Sequence, residues 1–250
     1  MRRREVIAGL GSAAAWPLAA KAQQADRVRR IGVVKRRPMI DLPVDSDALP
    51  SLTRQLGLFL EKAEALFGPR DKSFTLLGTE FYDGPNRVIY PNTNHDQIVI
   101  QLSKEARGNH DQALFQLAHE TVHVLAPVDV GTSTVLEEGL ATYFSLTAPD
   151  FADPSYARRS EATLAGKFRA YRDALDDVRA LLSVDPTVIA RIRRANELFA
   201  SITPSRLCEV APHCSAEIAD RLTHTFTMGK QPRMLKADQW FGRLRQDEPA

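Results

Sequence analysis

Cysteine is nearly absent from this chain. Only Cys208 and Cys214 occur in 250 residues, flanking Pro212 and His213. So little cysteine permits one local bridge at most, and in an oxidising compartment that bridge is expected, with modest stabilisation because its loop is short. A second metal site built on His213 lacks a convincing fourth ligand. A large charge excess is missing too: 33 Lys and Arg stand against 31 Asp and Glu, a formal +2. The longest apolar run, Val6 to Ala20, is short and interrupted by glycine, which argues against a stable membrane span. No internal repeat or low-complexity block is present.

The small positive charge is concentrated at the amino terminus. Arg2-Arg3-Arg4-Glu5 precedes the apolar run, and Ala20-Lys21-Ala22 fits a small-x-small cleavage site. Arg3-Arg4-Glu5-Val6-Ile7 looks like a twin-arginine export motif, with Val6 where Phe is usual. Residues 1–34 resemble the export leader and first strand of bacterial ABC-transporter solute-binding proteins. The likeness stops after Val34, and the remainder is too short for the two lobes of that family. Residues 1–22 are therefore expected to be a cleaved export signal, giving a periplasmic or secreted protein. Their removal takes away a net +3 and leaves about −1, which withdraws electrostatic support for nucleic-acid binding. Arg27, Arg29, Arg30, Lys35, Arg36 and Arg37 lie in a basic linker over 23–48.

What the chain does contain is His119-Glu120-Thr121-Val122-His123. Positions i and i+4 share one face of a helix, so both imidazoles can converge on one ion, with Glu120 beside them to poise a water. Ala113, Leu114, Leu117, Ala118, Val122 and Leu125 give Asn109–Leu125 helical spacing. Downstream, Thr134-Val135-Leu136-Glu137 fits a capping box, in which Glu137 reaches back to the backbone of Thr134. Glu138, about 100° further round that helix, is left free to face the metal. Two histidines and one carboxylate leave one coordination position open, as catalytic zinc sites do.

The His119–His123 motif together with Leu136-Glu137-Glu138-Gly139-Leu140-Ala141-Thr142-Tyr143-Phe144 resembles the gluzincin group of zinc metallopeptidases. The resemblance covers about residues 97–146. It implies one Zn2+ per chain on His119, His123 and Glu138, and Glu120 as general base in the hydrolysis of a peptide or protein substrate. Fourteen residues lie between His123 and Glu138, a shorter gap than in the better-known gluzincins. Thr142 stands where some members carry an Asp that supports a zinc-bound His, so that support is unassigned. The donor for the developing oxyanion is open among Tyr143, Tyr156, Tyr171, His213 and His224. A zinc-binding module without turnover is the alternative, although such a module has no need of Glu120.

Around the motif the pattern predicts an α+β, zincin-like fold: a small amino-terminal sheet with the active-site helix, then a mainly helical carboxy-terminal lobe. Leu52, Leu56, Phe59, Leu60, Ala63, Leu66 and Phe67 predict a helix ending at Gly68-Pro69. Phe74–Leu77, Arg87–Tyr90 and Gln97–Ser103 read as strands, with a turn at Asp83-Gly84-Pro85-Asn86. Gln97–Ser103 is either an ordinary buried strand or one that borders the cleft and pairs with substrate. Leu164, Phe168, Tyr171, Leu175, Val178 and Leu182 form one helical stripe, and Asp185-Pro186 opens another run through Ile202. The expected domain is 49–228, with a sheet lobe over about 49–130 and a helical lobe over 131–228. A tail covers 229–250.

Overall fold

The apolar stripe of the first predicted helix buries almost as its spacing dictates. In the computed structural model, which describes residues 48–128, 133–195 and 198–227, helix α1 spans Ala48–Phe67. Leu52, Leu56, Phe59, Leu60, Ala63 and Phe67 enter the core, while Leu66 is 44% exposed and lies off the stripe. The helix stops at Gly68, whose N–H bonds the Glu64 carbonyl at 3.0 Å. The expected signal and tail, and nearly all of the linker, lie outside the described residues.

Three strands follow: β1 (Thr75–Tyr82), β2 (Arg87–Ile89) and β3 (Gln97–Ser103), in the order β1-β3-β2. β3 is parallel to β1 and antiparallel to β2. The Asp83–Asn86 turn is therefore not a hairpin. It carries the chain across the end of β3 from one edge to the other. β3 is the buried central strand, with Ile98, Ile100 and Leu102 in the core, so of its two expected roles it takes the ordinary one. β1 and β2 are the edges instead. Arg87 Nε donates to Gln101 Oε1 at 2.8 Å and Gln101 Nε2 to Glu80 Oε1 at 2.6 Å, a polar ladder across all three strands.

Helix α2 (His110–His123) starts where Asn109 accepts from the Gln112 N–H at 3.1 Å. Gln116 locks it to β3: its Oε1 accepts from the Ser103 N–H, and its Nε2 donates to Ser103 Oγ, both at 2.9 Å. The remainder is helical: α3 (Val135–Thr147), α4 (Tyr156–Thr163), α5 (Arg169–Val184), α6 (Val188–Ala195), α7 (Pro204–Val210) and α8 (Ala216–Thr223). The stripe expected from Leu164 to Leu182 is broken. Gly166, at φ +73°, turns the chain before α5, so Leu164 and Phe168 belong to the approach rather than to the helix.

The helices are tied by a few costly contacts. Arg193 is 2% exposed, and its guanidinium donates to the carbonyls of Phe67, Gly68, Pro69 and Leu125 at 3.0–3.2 Å. It thus joins α6 to the ends of α1 and α2. Asp177 and Arg221 form a buried two-pronged pair between α5 and α8, both contacts at 2.6 Å. Pairing and hydrogen bonding are what such buried charges require. Cys208 lies on α7 and Cys214 in the core beyond it, and both are free, so the expected bridge is not formed. The Cys214 thiol donates to the Ser215 carbonyl, and burial pushes its pKa up to about 12. No described helix is long and apolar enough to cross a membrane. The fold class is mixed α+β, a three-stranded sheet with a mostly helical remainder.

Gly139 decides how closely α5 approaches α3. A Cβ there would stand 2.5 Å from the Ala174 carbonyl oxygen and 2.6 Å from Val178 Cγ2, whereas one at Gly57 on α1 meets nothing within 4 Å. Gly139→Ala should therefore cost about 1–3 kcal/mol through overpacking. Gly57→Ala should stabilise the protein by about 0.5–1 kcal/mol. Urea unfolding midpoints of the two variants check this, and equal midpoints would contradict it.

Candidate metal centre

The ligand set is assembled by two helices. One turn of α2 separates His119 from His123, whose rings lie 5.2 Å apart. The first turn of α3 brings Glu138 against both: His119 Nε2 is 3.4 Å from Glu138 Oε2, and His123 Nε2 is 3.7 Å from Glu138 Oε1. One donor atom from each of the three residues can be chosen so that all lie within 4.8 Å of one another. A tetrahedral zinc with bonds of about 2.0–2.1 Å has ligand–ligand edges of about 3.3 Å, close to the separations found here. Glu138 Oε2 is buried with no hydrogen-bond partner. A buried, unpartnered carboxylate oxygen facing His119 Nε2, on a carboxylate whose other oxygen faces His123 Nε2, fits a divalent cation by both spacing and donor chemistry. Among the described residues this is the sole cluster of that kind, and His213 joins none.

Support for the ligands comes from a residue with a different expected task. Thr134 Oγ1 caps α3 by accepting from the Glu137 N–H at 3.3 Å. The Glu137 carboxylate does not return to complete the capping box. It is completely buried and accepts from His123 Nδ1–H at 2.8 Å. That bond fixes the tautomer and leaves Nε2 free for a metal, the usual outer partner of a ligating histidine. Ser133 Oγ donates to Glu138 Oε1 at 2.7 Å. Thr142 is not involved in this way, since its hydroxyl bonds the Glu138 carbonyl at 2.8 Å. The segment before α3 is itself pinned: the Val135 N–H bonds the His224 carbonyl and the Phe226 N–H the Ser133 carbonyl, at 2.9 and 2.8 Å.

No family model, curated protein or solved structure matches this chain. A functional reading must therefore come from the side chains themselves.

Glu120 is 3% exposed and sits beside the ligands. Burial raises its pKa, against the opposing pull of His123, His119 and a hydrogen bond from Asn86. Asn86 Nδ2 donates to Glu120 Oε1, so the arch between β1 and β2 reaches the cavity-lining face of α2. Nothing in the sequence pattern pointed to Asn86 beyond its place in a turn. The site opens into a cavity of about 750 Å3, within the range of ligand sites. The same face of α2 lines it at Gln112, Phe115, Gln116, His119, Glu120 and His123, and β2 lines it at Arg87 and Val88.

The open choice of oxyanion donor narrows here. Tyr171 on α5 meets the His119 ring edge-on, with centroids 6.1 Å apart, and lines the cavity. Burial raises its phenol pKa, and the carboxylates of Glu138 and Glu120 add to the rise. Tyr156 lines the cavity from α4, next to Phe115 rather than the ligands. Tyr143 does not line it. His213 borders a separate small cavity, and His224 is exposed with Nδ1 on the Asp220 carbonyl.

Without metal the cluster is an ion pair. Burial lowers the His123 pKa, but Glu138 and Glu137 outweigh that effect and hold it at about 10. Glu138 feels burial upward, and His123 and His119 bring it down to about 2. At neutral pH a metal must therefore expel the His123 proton, while Glu138 is already ionised. Apparent zinc affinity should rise with pH, about tenfold per unit near neutrality, with about one proton released per ion. Titration calorimetry in buffers of different ionisation enthalpy measures this, and proton-free binding would contradict it. Glu137→Gln should weaken zinc binding by about 10–100-fold in competition with a chelating dye, and unchanged affinity would deny its supporting role.

Proposed function

We propose that the protein is an exported zinc-dependent metallopeptidase of gluzincin type, acting on peptide bonds from a zincin-like arrangement of sheet, active-site helix and helical lobe. The observation that carries this reading is the convergence of His119, His123 and Glu138 beside buried Glu120, at the base of a cavity large enough for a peptide. A zinc ion held by these three residues supplies a Lewis acid that polarises a carbonyl and acidifies water.

The chain's own residues do the rest. Asn86 occupies Glu120 Oε1 and leaves Oε2 to take a proton from the attacking water. The elevated pKa of buried Glu120 suits it to accept that proton and deliver it to the leaving amine. Tyr171 donates its phenolic proton in a hydrogen bond to the oxygen on which negative charge develops. Glu137 holds His123 in its ligating tautomer. The twin-arginine-like leader supports a periplasmic or extracellular setting for this activity.

Glu120→Gln should keep about one zinc per chain and lower peptide hydrolysis by about 10²–10⁴-fold. Tyr171→Phe should lower kcat by about 10²–10³-fold with zinc retained. Elemental analysis and turnover of a quenched-fluorescence peptide mixture measure both. A zinc-loaded wild-type chain that cleaves nothing would instead favour a non-catalytic binding module.

A further inference from the structure

We propose that the part of the cavity beyond the metal ligands is a side-chain pocket that selects a large apolar residue next to the scissile bond. This rests on the peptidase reading for its occupant and on the chain's own packing for its chemistry. Helix α4 has no buried residue, yet Tyr156, Arg159, Ser160 and Thr163, at steps of three, one and three, line the cavity as one face. The helix is held there from both ends. Asp111 on α2 accepts from the Ala152 and Asp153 N–H groups at 2.8 and 3.0 Å. Glu161 takes a two-pronged bond from Arg179 of α5, at 2.6 and 2.8 Å. A polar helix anchored so firmly over a cavity is a wall.

What the wall encloses is apolar. Leu146, Leu164 and Leu175 form a second buried cluster, separate from the main core, against which Phe115, Phe168 and Tyr171 pack partly buried. Of these, Leu164, Phe115, Phe168 and Tyr171 line the cavity. Phe115 lies four residues before His119, about 6 Å along α2, or about two residues of extended peptide. That separation suits a side chain flanking the bond held at the metal. The acids of the cavity, Glu120, Glu137 and Glu138, all sit at the metal end. The cation on the α4 wall, Arg159, is paired with Asp153 and lies 5.8 Å over the Tyr156 ring. The other cation, Arg87, belongs to the β2 rim, where its Nε donates to Gln101. Against the α4 wall a charged side chain would be desolvated without a free counter-charge, whereas an apolar one gains burial.

Saturation-transfer NMR on the full chain tests this, with zinc and again without. The probes are N-acetyl amides of Phe, Leu, Ala and Asp. The Phe and Leu probes should bind at least about tenfold better than the Ala and Asp probes, with or without metal. Phe115→Ala should abolish that preference. So should Thr163→Trp, which fills the pocket from an exposed position and puts no buried packing at risk. Equal binding of all four probes, or a preference that survives both variants, would overturn the pocket. Selective binding without any peptide cleavage by the zinc-loaded chain would leave the pocket standing and remove the hydrolytic reading. Cleavage indifferent to the flanking residue would do the reverse.

Discussion

Burying several carboxylates in one place is the constraint on which the rest of this structure depends. Glu120, Glu137 and Glu138 are all inside the protein, around two imidazoles, at the crossing of α2 and α3. Charged groups removed from water need paired charges and hydrogen bonds, or they shift to neutrality. Here His123 takes on a proton to meet that demand in the metal-free state, and still Glu137 Oε2 and Glu138 Oε2 lack hydrogen-bond partners. A divalent ion satisfies the same demand with neutral imidazoles. A metal held there would compensate a charge imbalance built into the packing of two helices.

The surrounding fold serves to hold that crossing in place. Gln116 clamps α2 to the central strand, and Arg193 collects carbonyls from the ends of α1 and α2. Gly139 lets α5 press onto α3 where the ligand Glu138 is carried, which also brings Tyr171 against His119. The strand order then fixes the opposite rim. Because β2 pairs with β3 rather than with β1, the intervening arch passes over α2, and Asn86 meets Glu120. The cavity, buried Glu120 and the His119–His123–Glu138 cluster are consequences of the same few long-range contacts.

Much of the site was legible in the chain because its grammar is local. The spacing of His119 and His123 lies within one helix turn, and the cap at Thr134 orients the helix that bears Glu138. The failures have a common cause, which is competition between local and tertiary partners. Glu137 satisfies a local capping pattern, yet its carboxylate prefers a buried imidazole fourteen positions away. The Asp83–Asn86 turn says that the chain reverses but not which strand it will pair with, so the pattern alone points to β3 rather than β2 as a cleft border. Leu164 and Phe168 keep helical spacing through a break at Gly166, and that break turns them toward the cavity. The two cysteines are close in sequence, but Cys208 belongs to a helix and Cys214 to the core.

Zinc K-edge absorption spectroscopy of the zinc-loaded chain tests the central claim most directly, because it reads the atoms around the ion. Two imidazole nitrogens and light oxygen donors at about 2.0–2.2 Å in a four-coordinate shell are the predicted result. A sulfur shell at about 2.3 Å, or an all-oxygen shell without imidazole scattering, would contradict a site built on His119, His123 and Glu138.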